Sequence, residues 1–274
     1  MFVILNVVSS GKKKTKKGKA VRKVSEFRTN GGERFYIVDV NDSANGVDWD
    51  EVTAFIGKHS SRVLAGENIR FGDDCSVKKF TGEKFFNMLI FNTLSIIIKE
   101  LYLSGLRTKC YINDKKGQYA FLLPLIARYS AETIVITKND YRYFSQVQSV
   151  YDEIGAGVVI TDSIKDAESH SIIIDTDNTF DYRGKGFLFS ACRGFIPAKT
   201  EGFDDIKKLC PGYIDENVFL AAVNEFNFEK RLSRAYCLSF IENNEEITVT
   251  ELVEYMKNRI CASADRYKSI IFYV

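Results

Sequence analysis

The chain has few of the residues that build metal and nucleophile sites. Its histidines are His59 and His170 alone, and its six cysteines (Cys75, Cys110, Cys192, Cys210, Cys237 and Cys261) include no C-x-x-C pair. Zinc sites of ordinary spacing are thereby excluded. Scattered cysteines in a chain this long fit buried thiols in a reducing cytosol. Neither sign of charge is in excess: 38 basic and 36 acidic residues leave a net charge of +2, which gives no global case for nucleic acid. Long apolar runs are missing too. Residues 1–8 are apolar but have no basic region before them, the wrong order for a secretory signal. Residues 85–98 carry no formal charge, but the run is too short to span a bilayer and contains Asn87, Asn92 and Thr93, so it predicts a buried core helix. The expectation is a cytoplasmic protein that uses no membrane. No internal repeat is visible.

What is present is an ordinary globular composition, 45% apolar and 27% charged, in 274 residues, enough for one large domain or two. Residues 2–8 and 34–40 read as strands, with the turn signal Asn30-Gly31-Gly32 before the second. Between them, residues 11–19 hold six lysines and nothing apolar, which predicts a solvated loop. Asp48-Trp49-Asp50-Glu51 has the form of a capping box and opens a helix to about Lys58. Residues 62–65 suggest a short strand. Thr81 opens a long helix through about Leu103, closed by Gly105. Residues 1–105 thus form a small α/β domain, with the long helix as its link to a second domain over 106–274.

Strands and helices alternate more clearly from there. Residues 109–113 read as a strand and 118–129 as a helix with an irregularity at Pro124. Residues 133–137 read as a β-branched strand buried on both faces. Residues 140–154 form a helix with Phe144, Val147, Val150, Tyr151 and Ile154 at helical spacing, stopped by Gly155-Ala156-Gly157. Residues 158–161 and 171–175 are further strands. Short strands linked by helices imply a parallel sheet. In the tail, residues 187–191, 236–241 and 269–274 suggest strands. Residues 215–228 suggest a helix, as do 250–259 behind a second capping box at Thr248 and Glu251.

The stretch from Cys110 to Asp175, about a quarter of the chain, resembles the Rossmann domains of the shikimate dehydrogenase and glutamyl-tRNA reductase type. Thr137-Lys138-Asn139 stands where those families place the ribose-reading turn. Gly155-Ala156-Gly157-Val158 stands at the third strand and residues 167–175 at the fourth. The resemblance implies an α/β fold with a dinucleotide site of Asn113, Lys115, Lys116, Gly117 and Lys138, in which Lys138 would favour NADP over NAD. The pattern is broken at its phosphate loop. In a working site, glycines let the backbone approach the pyrophosphate. Here Asn113, Asp114, Lys115 and Lys116 all carry side chains, and Asp114 puts a negative charge near where phosphates would lie. Lys115 and Lys116 would offset it only as point charges.

Other constellations in the chain each have a plainer reading beside the chemical one. Ile172-Ile173-Ile174-Asp175-Thr176-Asp177-Asn178-Thr179 matches the φφφ-D-x-D-x-T signature of haloacid-dehalogenase-type phosphotransferases. There Asp175 would be the nucleophile, Asp177 the acid/base, and both would help hold Mg²⁺. That family places the strand first in its domain, whereas here it comes fourth, and Asp204-Asp205 follows too soon to be the later acidic pair. The plainer reading ends a strand and begins a turn. The six lysines of the loop are interleaved with no aromatic residue, so they offer no stacking platform for single strands. Cys192 lies beside Arg193, but His170 begins the preceding strand and should sit at the opposite sheet edge, so the two make no nucleophile–base pair. His59 closes a helix, where a cation suits the dipole. Twenty-one phenylalanines and fourteen tyrosines leave room for an interaction face.

The reading is an α/β chain, a small N-terminal α/β unit followed by a Rossmann-like parallel-sheet unit. Its leading function is that of a non-catalytic scaffold for binding or regulation, without cofactor, whose partner is a protein or a small ligand in the inter-domain cleft. One alternative is an NADP-dependent oxidoreductase with an atypical phosphate loop, for which Lys99 and Asp181 are nominal catalytic candidates. The other is a Mg²⁺-dependent phosphatase centred on Asp175 and Asp177.

Overall fold

The computed structural model describes residues 1–9, 20–42, 47–66, 69–71, 75–163, 167, 170–177, 179, 186–190, 203–209, 215–225, 249–261 and 270–273. The lysine loop, the expected strand at 236–241, Thr248, Asp181 and Cys192 lie outside the described residues. In chain order the elements are β1 (Phe2–Ser9), β2 (Val21–Arg28), β3 (Arg34–Asp42), α1 (Trp49–Ile56), β4 (Val63–Ala65), α2 (Glu83–Leu103), β5 (Lys109–Asn113), α3 (Leu123–Ala127), β6 (Glu132–Ile136), α4 (Tyr141–Ile154), β7 (Val158–Thr161), β8 (Ile172–Asp175), β9 (Phe187–Ser190), α5 (Phe203–Leu209), α6 (Glu216–Glu225), α7 (Val249–Cys261) and β10 (Ile270–Tyr273). They group into two compact units, 1–82 with 196–228, and 83–195 with 229–274.

The first unit holds a four-stranded sheet in the order β2-β3-β1-β4, parallel except for β2. Alternation along its strands sends side chains to two separate cores. Phe2, Ile4, Phe35, Ile37 and Leu64 pack with Phe203 and Ile206 of α5 and with Phe219, Ala222 and Val223 of α6. Val3, Leu5, Val38, Val40 and Val63 pack with Val52 and Ile56 of α1. Asp48 caps α1 as expected, accepting from the Glu51 amide at 3.1 Å. Strand β2 was not foreseen. It is an edge strand, exposed over most of its length and rich in Arg, Lys and Glu, so it carries little apolar pattern.

The second unit is built on a parallel sheet ordered β10-β9-β8-β5-β6-β7. Counted from its own first strand, β5, this is the 3-2-1-4-5-6 order of a doubly wound Rossmann fold. The inner strands β8 and β9 are buried throughout, and β7, at the edge, is half-exposed. Helix α2 has the length and apolarity of a membrane span, but twelve of its 21 residues are buried and it packs on α3, α7 and β9. That packing draws α2 into the second unit, so it falls on the other side of the break from where the boundary at 105/106 would put it. Likewise Phe203 and Phe219 draw 203–225 back to the first unit, which adds a helix, α5, with no counterpart in the expected elements.

Two further expectations are corrected. The helix expected at 118–129 is a 3-10 turn at 120–122 followed by the five-residue α3, with Pro124 in its first turn, where a missing N–H costs nothing. In α4 the buried residues are Tyr143 and Val150, whereas Phe144 and Tyr151 are 58% and 64% exposed. The helix ends as expected on Gly155, in the left-handed conformation at φ 66.

Candidate functional site

In a doubly wound sheet a ligand sits beyond the carboxyl ends of the strands where the strand order reverses. Here that point lies between β5 and β8, which pair directly, Asn113 opposite Asp175. Six buried polar side chains of the second unit gather at these ends: Asn113 at the end of β5 and Asp114 after it, Thr137 after β6, Asp175 at the end of β8 and Thr176 after it, and Ser190 at the end of β9.

Asp114 is the centre of the loop. It is fully buried, and its carboxylate accepts from the Gln118 amide at 3.0 Å, the Tyr119 amide at 2.8 Å and the Tyr143 hydroxyl at 2.9 Å. Its own amide donates to the Ile136 carbonyl, and the Gly117 amide closes a turn on its carbonyl. Gly117 is required twice over: its φ is +65°, and a Cβ there would meet Arg142 and Asn139 side-chain carbons at 3.0–3.2 Å. Burial first, and then the Asp114 charge, push the Tyr143 phenol well above its ordinary range. Burial likewise pushes Tyr119 up to about 12, against a hydrogen bond from Asn87.

A second carboxylate holds the other side of the loop. Asp177 accepts from the Lys115 amide at 2.6 Å, and its other oxygen lies 3.9 Å from the Lys116 ammonium. Asp175 accepts from the Asn113 side chain at 2.7 Å and from the Asp177 amide at 3.3 Å. Asn113 also donates to Thr179 at 3.4 Å, and its Oδ1 has no partner among the described residues. Thr176 returns amide and hydroxyl to the Asn113 carbonyl, while Asn87 on α2 donates to the Thr176 carbonyl and the Tyr119 hydroxyl. Ser190 donates to the Asp175 carbonyl. On the β6 side, the Lys138 amide and the Asn139 side chain both donate to the Lys115 carbonyl. The ammonium of Lys99 lies over the Tyr129 ring.

The structure therefore brings Asn113, Lys115, Lys116, Gly117, Lys138, Asp175 and Asp177 to one end of one sheet. Asp204 and Asp205 belong to α5 in the first unit, and His170 precedes β8 while Ser190 ends the adjacent parallel strand β9, so the two stand at opposite strand ends. Tyr143, Tyr119, Asn87 and Thr176 were missed as members. The one signal available was the spacing of Asp114 to Gln118 and Tyr119, that of a carboxylate capping the turn behind it.

Two implied groups fit this end poorly. A pyrophosphate needs loop amides that point outward, and those of Lys115, Gln118 and Tyr119 are bonded to Asp177 and Asp114. A Mg²⁺ ion needs oxygen ligands in number, but Asp175 and Asp177 are engaged with Asn113 and Lys115, and no group of three or more His, Cys, Asp or Glu gathers among the described residues.

No protein-family model matches the chain, and no curated protein matches it. Among solved structures, L-tryptophan dehydrogenase from Nostoc punctiforme aligns at TM-score 0.29 and 11% identity, over 84% of this chain and 75% of that one. The Δ1-pyrroline-2-carboxylate reductase of Thermococcus litoralis, solved with NADH and L-proline, aligns at TM-score 0.30 and 9% identity, over 69% of this chain and 59% of that one. Superpositions this loose carry no argument, and the fold assignment rests on the strand order.

Proposed function

We propose that the second unit is a non-catalytic Rossmann-type scaffold serving binding or regulation. One observation carries the reading. The backbone donors that would receive a dinucleotide's phosphates are bonded to Asp114, a buried carboxylate of the same loop. The chain supplies its own anion. A dinucleotide would have to displace a group held by three hydrogen bonds and covalently tethered next to them.

The test is thermal denaturation with NAD, NADP and their reduced forms, each at about 1 mM. A ligand present at about 100 times its dissociation constant adds roughly 2.7 kcal/mol, a rise of about 5–10 °C for a chain of this size. No rise with any of the four is expected, and a clear rise overturns the reading. The oxidoreductase alternative, which the likeness to shikimate dehydrogenase suggested, keeps one favourable observation. Lys138 is exposed and tethered through its amide to Lys115, which leaves its side chain able to meet a 2′-phosphate. On that alternative NADP would outperform NAD, and Lys138→Glu would remove the difference.

A further inference from the structure

We propose that the strand-end cluster beyond β5 and β8 binds a primary ammonium group through Asn113, Asp177 and Thr179. This deepens the scaffold reading, on which it rests, by naming the chemical class of the ligand. Asn113 is fully buried, and its Nδ2 donates to Asp175 at 2.7 Å and to Thr179 at 3.4 Å. An ionised carboxylate only accepts, so the nitrogen of the Asn113 amide, not its oxygen, has to face Asp175. The oxygen that remains, Oδ1, takes no hydrogen bond among the described residues. Buried acceptors are nearly always matched by a donor, so an open one calls for an occupant.

Asp177 repeats the pattern with a charge. Its side chain is only 8% exposed. One oxygen accepts from the Lys115 amide at 2.6 Å, and the other has no donor within hydrogen-bond reach among the described residues. The Lys116 ammonium, 61% exposed, stops 3.9 Å from it. The Asp177 amide and the Asn113 side chain donate to the same oxygen of Asp175, so both open oxygens belong to one connected set. Thr179 is exposed and carries that set to the surface, where a ligand can reach it without opening the core.

The open groups select the ligand. Both are acceptors and one is anionic, so the ligand must donate and gains from positive charge. An ammonium has three donors and no acceptor. An anion would meet the Asp175 and Asp177 carboxylates. A guanidinium grips a carboxylate as a two-pronged fork, and Asp177 has one oxygen left to offer. A divalent cation needs more oxygen ligands than these two. A quaternary ammonium brings charge but no N–H. Lys116 already holds an ammonium outside the Asp177 oxygen, and the ligand would take the place inside it.

Saturation-transfer NMR of the full chain with n-propylammonium, at pH 7 and constant ionic strength, tests this. Four non-hydrogen atoms limit the affinity, so a dissociation constant on the order of 1 mM is expected. n-Propyltrimethylammonium keeps the charge without N–H, and n-propanol keeps a donor without the charge. Each should bind about tenfold more weakly or less. Asp177→Asn should weaken propylammonium about tenfold or more with an unchanged circular dichroism spectrum. Lys116→Met, at an exposed side chain, should strengthen it about two- to fivefold by removing a competing cation. If Asp177→Asn fails to fold, Lys116→Met decides alone. No saturable binding of propylammonium overturns the proposal. So does equal binding of either comparison probe, or affinity unchanged in a folded variant. The two readings fail separately. A dinucleotide that raises the melting temperature overturns the scaffold reading, whereas a chain that ignores both dinucleotides and propylammonium keeps the scaffold and loses this site.

Discussion

The two sheets of this chain keep their buried polar groups in different places. In the first unit the alternating strands feed two apolar cores, and polar contacts stay at margins: the part-buried Asn6–Asp39 pair at 2.9 Å, and Glu51 accepting from the Ala20 amide. In the second unit a connected set gathers beyond β5 and β8, around Asn113, Asp114, Asp175 and Thr176, while Thr108, Thr133 and Ser171 lie near the opposite strand ends. Burying polar groups is tolerable only when they are bonded, and a connected network makes each member costly to remove. The first unit should therefore depend on its hydrophobic volume, and the second also on a few named hydrogen bonds.

The sharpest way to break that contrast is Asp114→Ala. It strands two backbone amides and a buried hydroxyl, so a loss of about 4–6 kcal/mol is expected in urea unfolding of the second unit. Asp39→Ala should cost only about 1 kcal/mol in the first. Equal losses would mean that the polar cluster is not what holds the loop. Phe219→Ala comes next, at about 3–5 kcal/mol, because Phe219 is fully buried with its ring 5.2 Å from Phe35 and 5.8 Å from Phe203. A negligible loss would dissociate α6 from the first sheet.

Raising the pH separates the units in a third way. Cys110, Tyr119 and Tyr143 all lie in the second unit and all have raised pKa values, Cys110 and Tyr119 to about 12, in each case chiefly through burial. Each is neutral when protonated, so the unfolded chain gives up the proton first. Their contribution to stability is complete below pH 9 and falls as the pH passes the ordinary values of 9.0 and 10.0, and that of Cys110 and Tyr119 is lost above about 12. A fall of a few kcal/mol between pH 8 and 11 is expected. Chemical unfolding at stepped pH checks it, and a flat profile would contradict the burial of these groups. Tyr143→Phe should cost about 1–2 kcal/mol by removing one donor from Asp114. Smallest of all, Lys109→Ala breaks a 2.8 Å pair with Glu132 that is about one-third exposed on each side, and should cost under ~1 kcal/mol.

The fold was legible wherever burial imposed a pattern. The β-branched run at 133–137, the capping box at Asp48 and the stop at Gly155 each became the expected element, because one local cause sufficed. The parallel sheet followed from their alternation. Less was legible where the cause lay far along the chain. Nothing in the first 105 residues announces that Phe219 will cover Phe35, and β2 hides its strand character because an edge need not be apolar. The site shows the same division. Asp114, Lys115 and Asp175 stand out as strand-end residues. The Tyr143 hydroxyl that binds Asp114 was hidden behind Phe144, whose size suggested burial. Reading Asp114 as a charge hostile to phosphate identified the right residue for an incomplete reason. Its charge is directed inward, onto the amides of its own loop.

The return of residues 196–228 to the first sheet has a consequence for biosynthesis. When β4 leaves the ribosome, all four strands of that sheet exist, but Phe203 and Phe219 are roughly 140–150 residues away. At about 5–20 residues per second, the face of Phe2, Ile4, Phe35, Ile37 and Leu64 waits roughly 7–30 s for its cover. Closing so long a loop costs little in equilibrium stability but lengthens the search for the native contact. The nascent chain thus carries an uncovered aromatic sheet face until residues 203–223 have emerged.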